Sequence, residues 1–194
     1  MLKKIILGSL VASSAVFASG VAEINVNGDT LQVGLEYNLN QSYRLNDNSN
    51  YFLTASYLRS EDGKTAIQET QTLTTVGLKI MNPYIDDYGF SLGLGIKGVS
   101  ADNSSKTFLA APLNIFASYM VNEQIHIDAE FGYAPKVLAF SDAETYKEWN
   151  AKVNYKVIDN GFVYLGGRDI DTKYTNGNKI SYDNSVFFGF KVQF

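Results

Sequence analysis

The sequence predicts an all-β fold: a transmembrane, antiparallel, up-and-down β-barrel of about ten strands, or about eight if two segments merge. One reason is the carboxy-terminal segment Ser185 to Phe194, S-V-F-F-G-F-K-V-Q-F. A strand alternates faces with period 2, so Val186, Phe188, Phe190, Val192 and Phe194 share an apolar face. Phe187, Gly189, Lys191 and Gln193 form the other, smaller and mostly polar face. A last strand ending on an aromatic residue is what a bacterial outer-membrane barrel uses to pair with its first strand and close. A second reason is that such period-2 segments recur along the chain, while no later stretch approaches the length of a transmembrane helix. A third is the placement of aromatic residues at strand ends, with Leu, Val, Ile and Ala between them.

The amino-terminal segment reads as a secretory signal. Lys3 and Lys4 precede an apolar stretch from Ile5 to Ala18, followed by small residues. The apolar run is too short to cross a ~30 Å hydrocarbon core as an anchor helix. Cleavage is expected after Ala18 or Ala22, which gives a signal peptide over 1–22 and one barrel domain over 23–194. Losing Lys3 and Lys4 leaves 14 of 16 basic residues against 20 acidic ones, so the formal charge moves from −4 to −6.

Composition narrows the class. With no cysteine there is no disulfide framework, thiolate metal site or cysteine nucleophile. The acidic balance and the lack of a basic run argue against nucleic acid as a partner. A mean hydropathy of −0.10 looks soluble, but a barrel that alternates lipid-facing and lumen-facing residues averages out in this way.

The strands follow in order. A short one, Glu23 to Asn27, precedes the Asn27-Gly28-Asp29 turn and makes the strand number even. Then come segments with apolar faces Leu31–Leu39, Tyr51–Tyr57, Thr74–Ile80, Phe90–Ile96, Leu113–Tyr119, Ile127–Tyr133, Trp149–Val157, Val163–Gly167 and the terminal strand. If Phe194 lies at the periplasmic end, Met120–Gln124, Ile158–Gly161 and Pro83–Asp87 are short periplasmic turns. Arg59–Gln71, Ala134–Tyr146 and Asp169–Asn184 are then long outer loops, Val99–Lys106 is an intermediate one, and Asn40–Asn50 is an exception on the periplasmic side. Tyr57, Tyr133 and Trp149 form an outer membrane-interface belt, and Tyr37, Tyr51, Tyr119, Tyr155 and Phe194 a periplasmic one. A soluble β-sandwich or lipocalin-like barrel would not need to sort its aromatics to strand ends.

Three stretches resemble the YfaZ family of outer-membrane proteins: G-F-S-L-G-L-G-I-K-G at 89–98, A-E-F-G-Y-A-P-K-V-L-A-F-S-D-A-E-T-Y-K-E at 129–148, and V-Y-L-G-G-R at 163–168. The resemblance implies a small barrel in the outer membrane of a Gram-negative bacterium. It implies no chemistry and no site residues.

The inward face is expected to carry Glu36, Lys79, Lys97, Asp128, Glu130, Lys152, Lys156, Arg168 and Lys191, three acids against six bases. These side chains would plug the lumen by mutual ion pairs, Arg168 with Asp128 or Glu130 being one candidate pair. Alternatively they would line a narrow, porin-like channel for small polar or anionic solutes. A barrel of about ten strands is close to the size that its own side chains fill. The inward glycines Gly77, Gly93, Gly95, Gly132, Gly166 and Gly189 would either leave space or permit close packing. A third reading is a membrane hydrolase centred on His126, two residues before Asp128, but no nucleophile motif accompanies it, and the chain is read as a non-enzyme. No residue cluster has metal-ligand spacing and no cofactor is expected. Asp86-Asp87 and Asp169-Ile170-Asp171 read as exposed acidic turns, with weak calcium contact as the alternative. Lys136, Val137, Leu138 and Phe140 mark an apolar patch in an outer loop that would cover the barrel mouth or meet an extracellular partner. The other expected partners are outer-membrane lipid and lipopolysaccharide, and the barrel-assembly machinery through the strand ending at Phe194.

Overall fold

The computed structural model describes residues 19–40, 49–60, 71–83, 89–103 and 106–194. The apolar signal segment over 1–18, Asp86-Asp87 and most of the expected loops 40–50 and 59–71 lie outside the described residues. Among the described residues twelve strands form one antiparallel sheet. They are β1 (Gly20–Val26), β2 (Thr30–Asn38), β3 (Asn50–Ser60), β4 (Gln71–Met81), β5 (Phe90–Asn103) and β6 (Lys106–Ala110). β7 (Leu113–Met120), β8 (Ile125–Ala134), β9 (Ala139–Ser141), β10 (Ala143–Ile158), β11 (Gly161–Tyr174) and β12 (Lys179–Gln193) complete the set. Ten of them make the wall in the order β4-β3-β2-β1-β12-β11-β10-β8-β7-β5, and a β4–β5 pairing closes the cylinder.

Closure runs through the two ends of the chain. Val21 to Val26 pair with Gln193 to Phe188. The Gly20 N–H donates to the Phe194 carbonyl at 2.7 Å, and the Phe194 N–H donates back to the Gly20 carbonyl at 3.0 Å. β1 therefore begins at Gly20, before the expected Glu23, within the four residues that the later of the two candidate cleavage sites would remove. The first turn forms as its residues suggest: the Asn27 Oδ1 accepts from the Asp29 and Thr30 N–H groups at 2.8 and 2.6 Å.

The outer side departs from the expected loops. Asp169–Asn184 is mostly strand, because β11 and β12 continue outward past a bulge at Ile170/Asp171 and meet at a four-residue turn. That turn, Thr175 to Asn178, holds Gly177 at φ 83°, where a side chain would be strained. Ala134–Tyr146 is likewise structured: a 3-10 turn over Lys136–Leu138, then β9, then the start of β10. β6 and β9 were not legible as strands. β6 pairs with β5 above β7, and β9 pairs with β6. Together they raise the wall on one side.

The faces sort as period 2 requires. Val186 is 67% exposed and Leu94 64%, while Phe187, between two outward residues, is 1% exposed. Tyr57, Tyr119, Tyr133, Trp149 and Tyr155 are exposed on the outward face, and Tyr37, Tyr51 and Phe194 are half-buried at the periplasmic rim. An outward aliphatic band between two aromatic rings is what hydrocarbon and its interfaces select. No described helix is long and apolar enough to cross a membrane.

Candidate functional site

The lumen is built in three layers. Outermost is an apolar cluster around Phe108, with Leu58, Leu73, Val99, Ala101, Tyr146, Ile170, Tyr174 and Tyr182. Each lies on the inward parity of a strand at or beyond the level of Trp149 and Tyr57. Phe108 sits 5.9 Å from the Tyr146 and Tyr182 rings and 6.1 Å from Tyr174, the last two edge-on or nearly so. The Tyr174 and Tyr182 hydroxyls share a hydrogen bond at 2.9 Å. Leu138 packs against this cluster and Ala139 belongs to it, whereas Lys136, Val137 and Phe140 face outward and are exposed. The segment expected as one apolar patch is therefore divided between the barrel mouth and the outer surface.

The middle layer is polar and closely packed. Arg168 is 2% exposed, and its guanidinium donates to Asp183, Gln32, Asn25 (2.8 Å) and Thr30 (2.9 Å). It also lies 4.6 Å from the centre of the Phe187 ring. One side chain of β11 thus ties β12, β1 and β2 at the closing seam. Its partner is Asp183, not Asp128 or Glu130: the latter two sit on β8, while β12 is the strand paired with β11. Across the lumen, Lys97 pairs with Glu130 and with Glu148 (2.9 Å). The Asn114 Nδ2 donates to the same two carboxylates at 2.9 and 2.6 Å, and the Tyr146 hydroxyl donates to Glu148 at 2.9 Å. That last bond joins the apolar layer to the charged one.

The innermost layer surrounds a cavity of about 390 Å³. Its lining includes Val21, Asn50, Met81, Asn82 and Gln193, at or next to the periplasmic strand ends. Its charges are paired: Lys152 with Glu23 at 2.8 Å, Lys191 with Asp128 at 3.3 Å, and Lys79 with Glu36. Lys156 pairs with Asp159 (3.3 Å) at the rim. Lys79, Lys152 and Lys191 each also lie over an aromatic ring, at 4.7 to 5.2 Å.

The nine charged residues expected inside all lie on the inward face of their strands, Lys156 at the periplasmic rim. Glu23, Glu148 and Asp183 join them, so the described inward face holds six acids and six bases rather than three and six. The signal was available: Glu148 shares the parity of Lys152, and Asp183 that of Phe187, but Glu148 lay between the expected loop ending at Tyr146 and the strand face beginning at Trp149, and Asp183 fell in a stretch read as a loop. The inward glycines accommodate neighbours rather than open space. A Cβ at Gly166 would lie 2.6 Å from the Phe187 ring, one at Gly95 2.9 Å from Phe116, and one at Gly189 would fall on the Tyr164 ring.

His126 packs against Phe162, ring centres 5.7 Å apart. The Asp128 carboxylate is already taken by the Ser118 hydroxyl (2.7 Å), the Asn154 amide (2.9 Å) and Lys191. Among the described residues no group of three or more His, Cys, Asp or Glu is arranged to hold a metal ion.

Outside, above Trp149, the faces of β10, β11 and β12 are charged. Lys173 pairs with Glu144 at 2.8 Å and Lys179 with Asp171 at 2.7 Å. The Lys173 hydrogen bond, and then the charges of Lys173 and Lys136, hold the Glu144 carboxyl below its usual range.

An outward aliphatic band, two aromatic belts, a charged lumen and closure of the last strand on the first define a small outer-membrane β-barrel. The YfaZ family profile, described as YfaZ precursor, matches residues 2–194, and the chain belongs to that family. No curated protein matches it. Among solved structures it is similar to OmpT, an outer membrane protein of Vibrio cholerae, at 14% identity and a TM-score of 0.43, covering 85% of this chain and 56% of that one. It is also similar to the outer membrane channel DcaP of Acinetobacter baumannii (10% identity, TM-score 0.44, 90% and 72% covered). The NanC porin is a third (9%, 0.44, 90% and 97%). The chain spans little more than half the length of the OmpT chain, and at these scores the likenesses carry no inference about role.

Proposed function

We propose that this barrel is closed to through-flow and serves a structural or surface-interaction role without catalysis. The observation that supports this reading is the buried cluster around Phe108. A solute crossing the lumen would have to displace four packed aromatic rings and then part the Arg168 and Lys97 networks. The periplasmic cavity is then blind. Ion pairs were expected to plug the lumen, and apolar packing now adds the outer closure. The Asp128 carboxylate accepts from Ser118, Asn154 and Lys191, and His126 packs on Phe162, which does not favour catalysis. The surrounding partners are outer-membrane lipid and, through β12 and Phe194, the barrel-assembly machinery.

The cavity supports a second reading, a narrow channel for small polar solutes whose outer cluster moves aside. Its balanced lining gives no reason for anion preference. The two readings separate in a planar bilayer containing refolded mature protein that migrates as a heat-modifiable barrel. The proposal expects a silent bilayer. Reproducible conductance steps, altered by Lys97→Gln, would overturn it and make transport the function.

A further inference from the structure

Above the outer aromatic belt, most outward side chains are polar or charged: Arg59 on β3, Ser100 on β5, Lys147 on β10, Lys173 on β11 and Ser181 on β12. One side breaks the pattern. Leu109 on β6 faces outward beside its register partner Phe140 on β9, 53% and 50% exposed, and Val137 on the adjoining turn is 78% exposed. β6 and β9 stand directly above β7 and β8, so these residues extend the lipid-facing surface of Leu113 and Tyr133 outward. An apolar face at headgroup height is costly in water and favourable against an acyl chain.

The charges beside it select the kind of lipid. Lys136 follows Tyr133 by three residues, and Lys147 is the register partner of Tyr133. Both are exposed. Glu144 and Asp171, the acids nearest them along β10 and β11, are held by Lys173 and Lys179. Asp169, beside Trp149, lies a step closer to the bilayer, and Asp142 sits on the turn before β10. The charge of Lys136 also acts on Glu144, and Lys147 stands opposite Asp171 in the register, but each of those acids already has its own ion pair, so among the described residues Lys136 and Lys147 are left to meet an anion on this face.

We propose that the face formed by Leu109, Val137, Phe140, Lys136 and Lys147 docks a phosphorylated glycolipid of the outer leaflet. Its acyl chain lies on Leu109 and Phe140, and its phosphates meet the two ammonium groups. The inference rests on the barrel's orientation with Phe194 at the periplasmic end and is independent of whether the lumen conducts.

The test uses the refolded mature protein in detergent, with bisphosphorylated lipid A, lipid A stripped of phosphate, and inorganic phosphate as probes, read by native mass spectrometry. The K136Q/K147Q variant should bind bisphosphorylated lipid A at least tenfold more weakly, about 1 kcal/mol per lysine beside an anionic lipid surface. K136R/K147R should retain binding, which separates a phosphate contact from a folding defect. K156Q, a single lysine-to-glutamine change at the periplasmic rim, should leave binding as it was. F140S should weaken binding of both lipids. Equal affinity for lipid A with and without phosphate, or unchanged affinity in folded K136Q/K147Q, would overturn the proposal, as would inorganic phosphate competing as well as the lipid.

Discussion

Replacing Arg168 with alanine removes a fully buried cation from the seam where the barrel closes, and its cost can be worked from the contacts. Asp183, with a side chain 3% exposed, would keep its hydroxyl partners Thr30 and Ser185 but lose its counter-charge. Breaking a buried pair from one side costs about 3–5 kcal/mol. Losing the guanidinium from the face of Phe187 adds about 1 kcal/mol. Gln32 keeps the Asn25 Nδ2 as a donor at 3.2 Å, but the buried Asn25 Oδ1 loses its donor, which adds about 1 kcal/mol. The expected loss for Arg168→Ala is about 5–7 kcal/mol. The R168M/D183L double variant, which removes both charges and keeps the volume, should recover all but about 1–2 kcal/mol. The assay is urea unfolding in phospholipid vesicles followed by Trp149, the only tryptophan in the sequence, which leaves the lipid interface on unfolding. If R168A lost less than about 1 kcal/mol, or the double variant were no better than the single, the node would not hold the seam by charge compensation.

Three further outcomes follow from the same geometry. Gly189→Ala should destabilise by about 1–3 kcal/mol in the vesicle assay, because its Cβ would overlap the Tyr164 ring, and Tyr164→Ala in the same chain should relieve the overlap. Phe108→Ala with Tyr146→Ala should convert a silent bilayer into one with conductance steps, since the pair removes a ring contact at 5.9 Å from the outer cluster; continued silence from a folded double variant would shift the closure to the ion pairs below. Mass spectrometry of the secreted protein should find Ser19 as the first residue, because removing residues through Ala22 would delete two of the six β1–β12 register pairs and both Gly20–Phe194 bonds.

The wall of the barrel was legible because its code is local. Period 2 places Phe188 outside and Phe187 inside without reference to any other strand, and the same parity put all nine expected charges on the inward face. Turn chemistry was legible for the same reason at Asn27-Gly28-Asp29. Membership of the YfaZ family was readable from the stretches at 89–98, 129–148 and 163–168.

What the residues could not settle alone is which of them meet. Arg168 was expected beside Asp128 or Glu130 and instead finds Asp183 on the neighbouring strand, together with Asn25 and Gln32 across the seam. That choice depends on how far each strand is staggered when the cylinder closes, a property of the whole sheet. The outer stretches 134–146 and 169–184 were read as loops because their polar outward residues conceal inward Tyr146, Tyr174 and Tyr182. Those rings become a core only when β6 and β9 bring Phe108 and Ala139 against them. Alternation along a strand sets each residue's face, and closure of the sheet sets its neighbours.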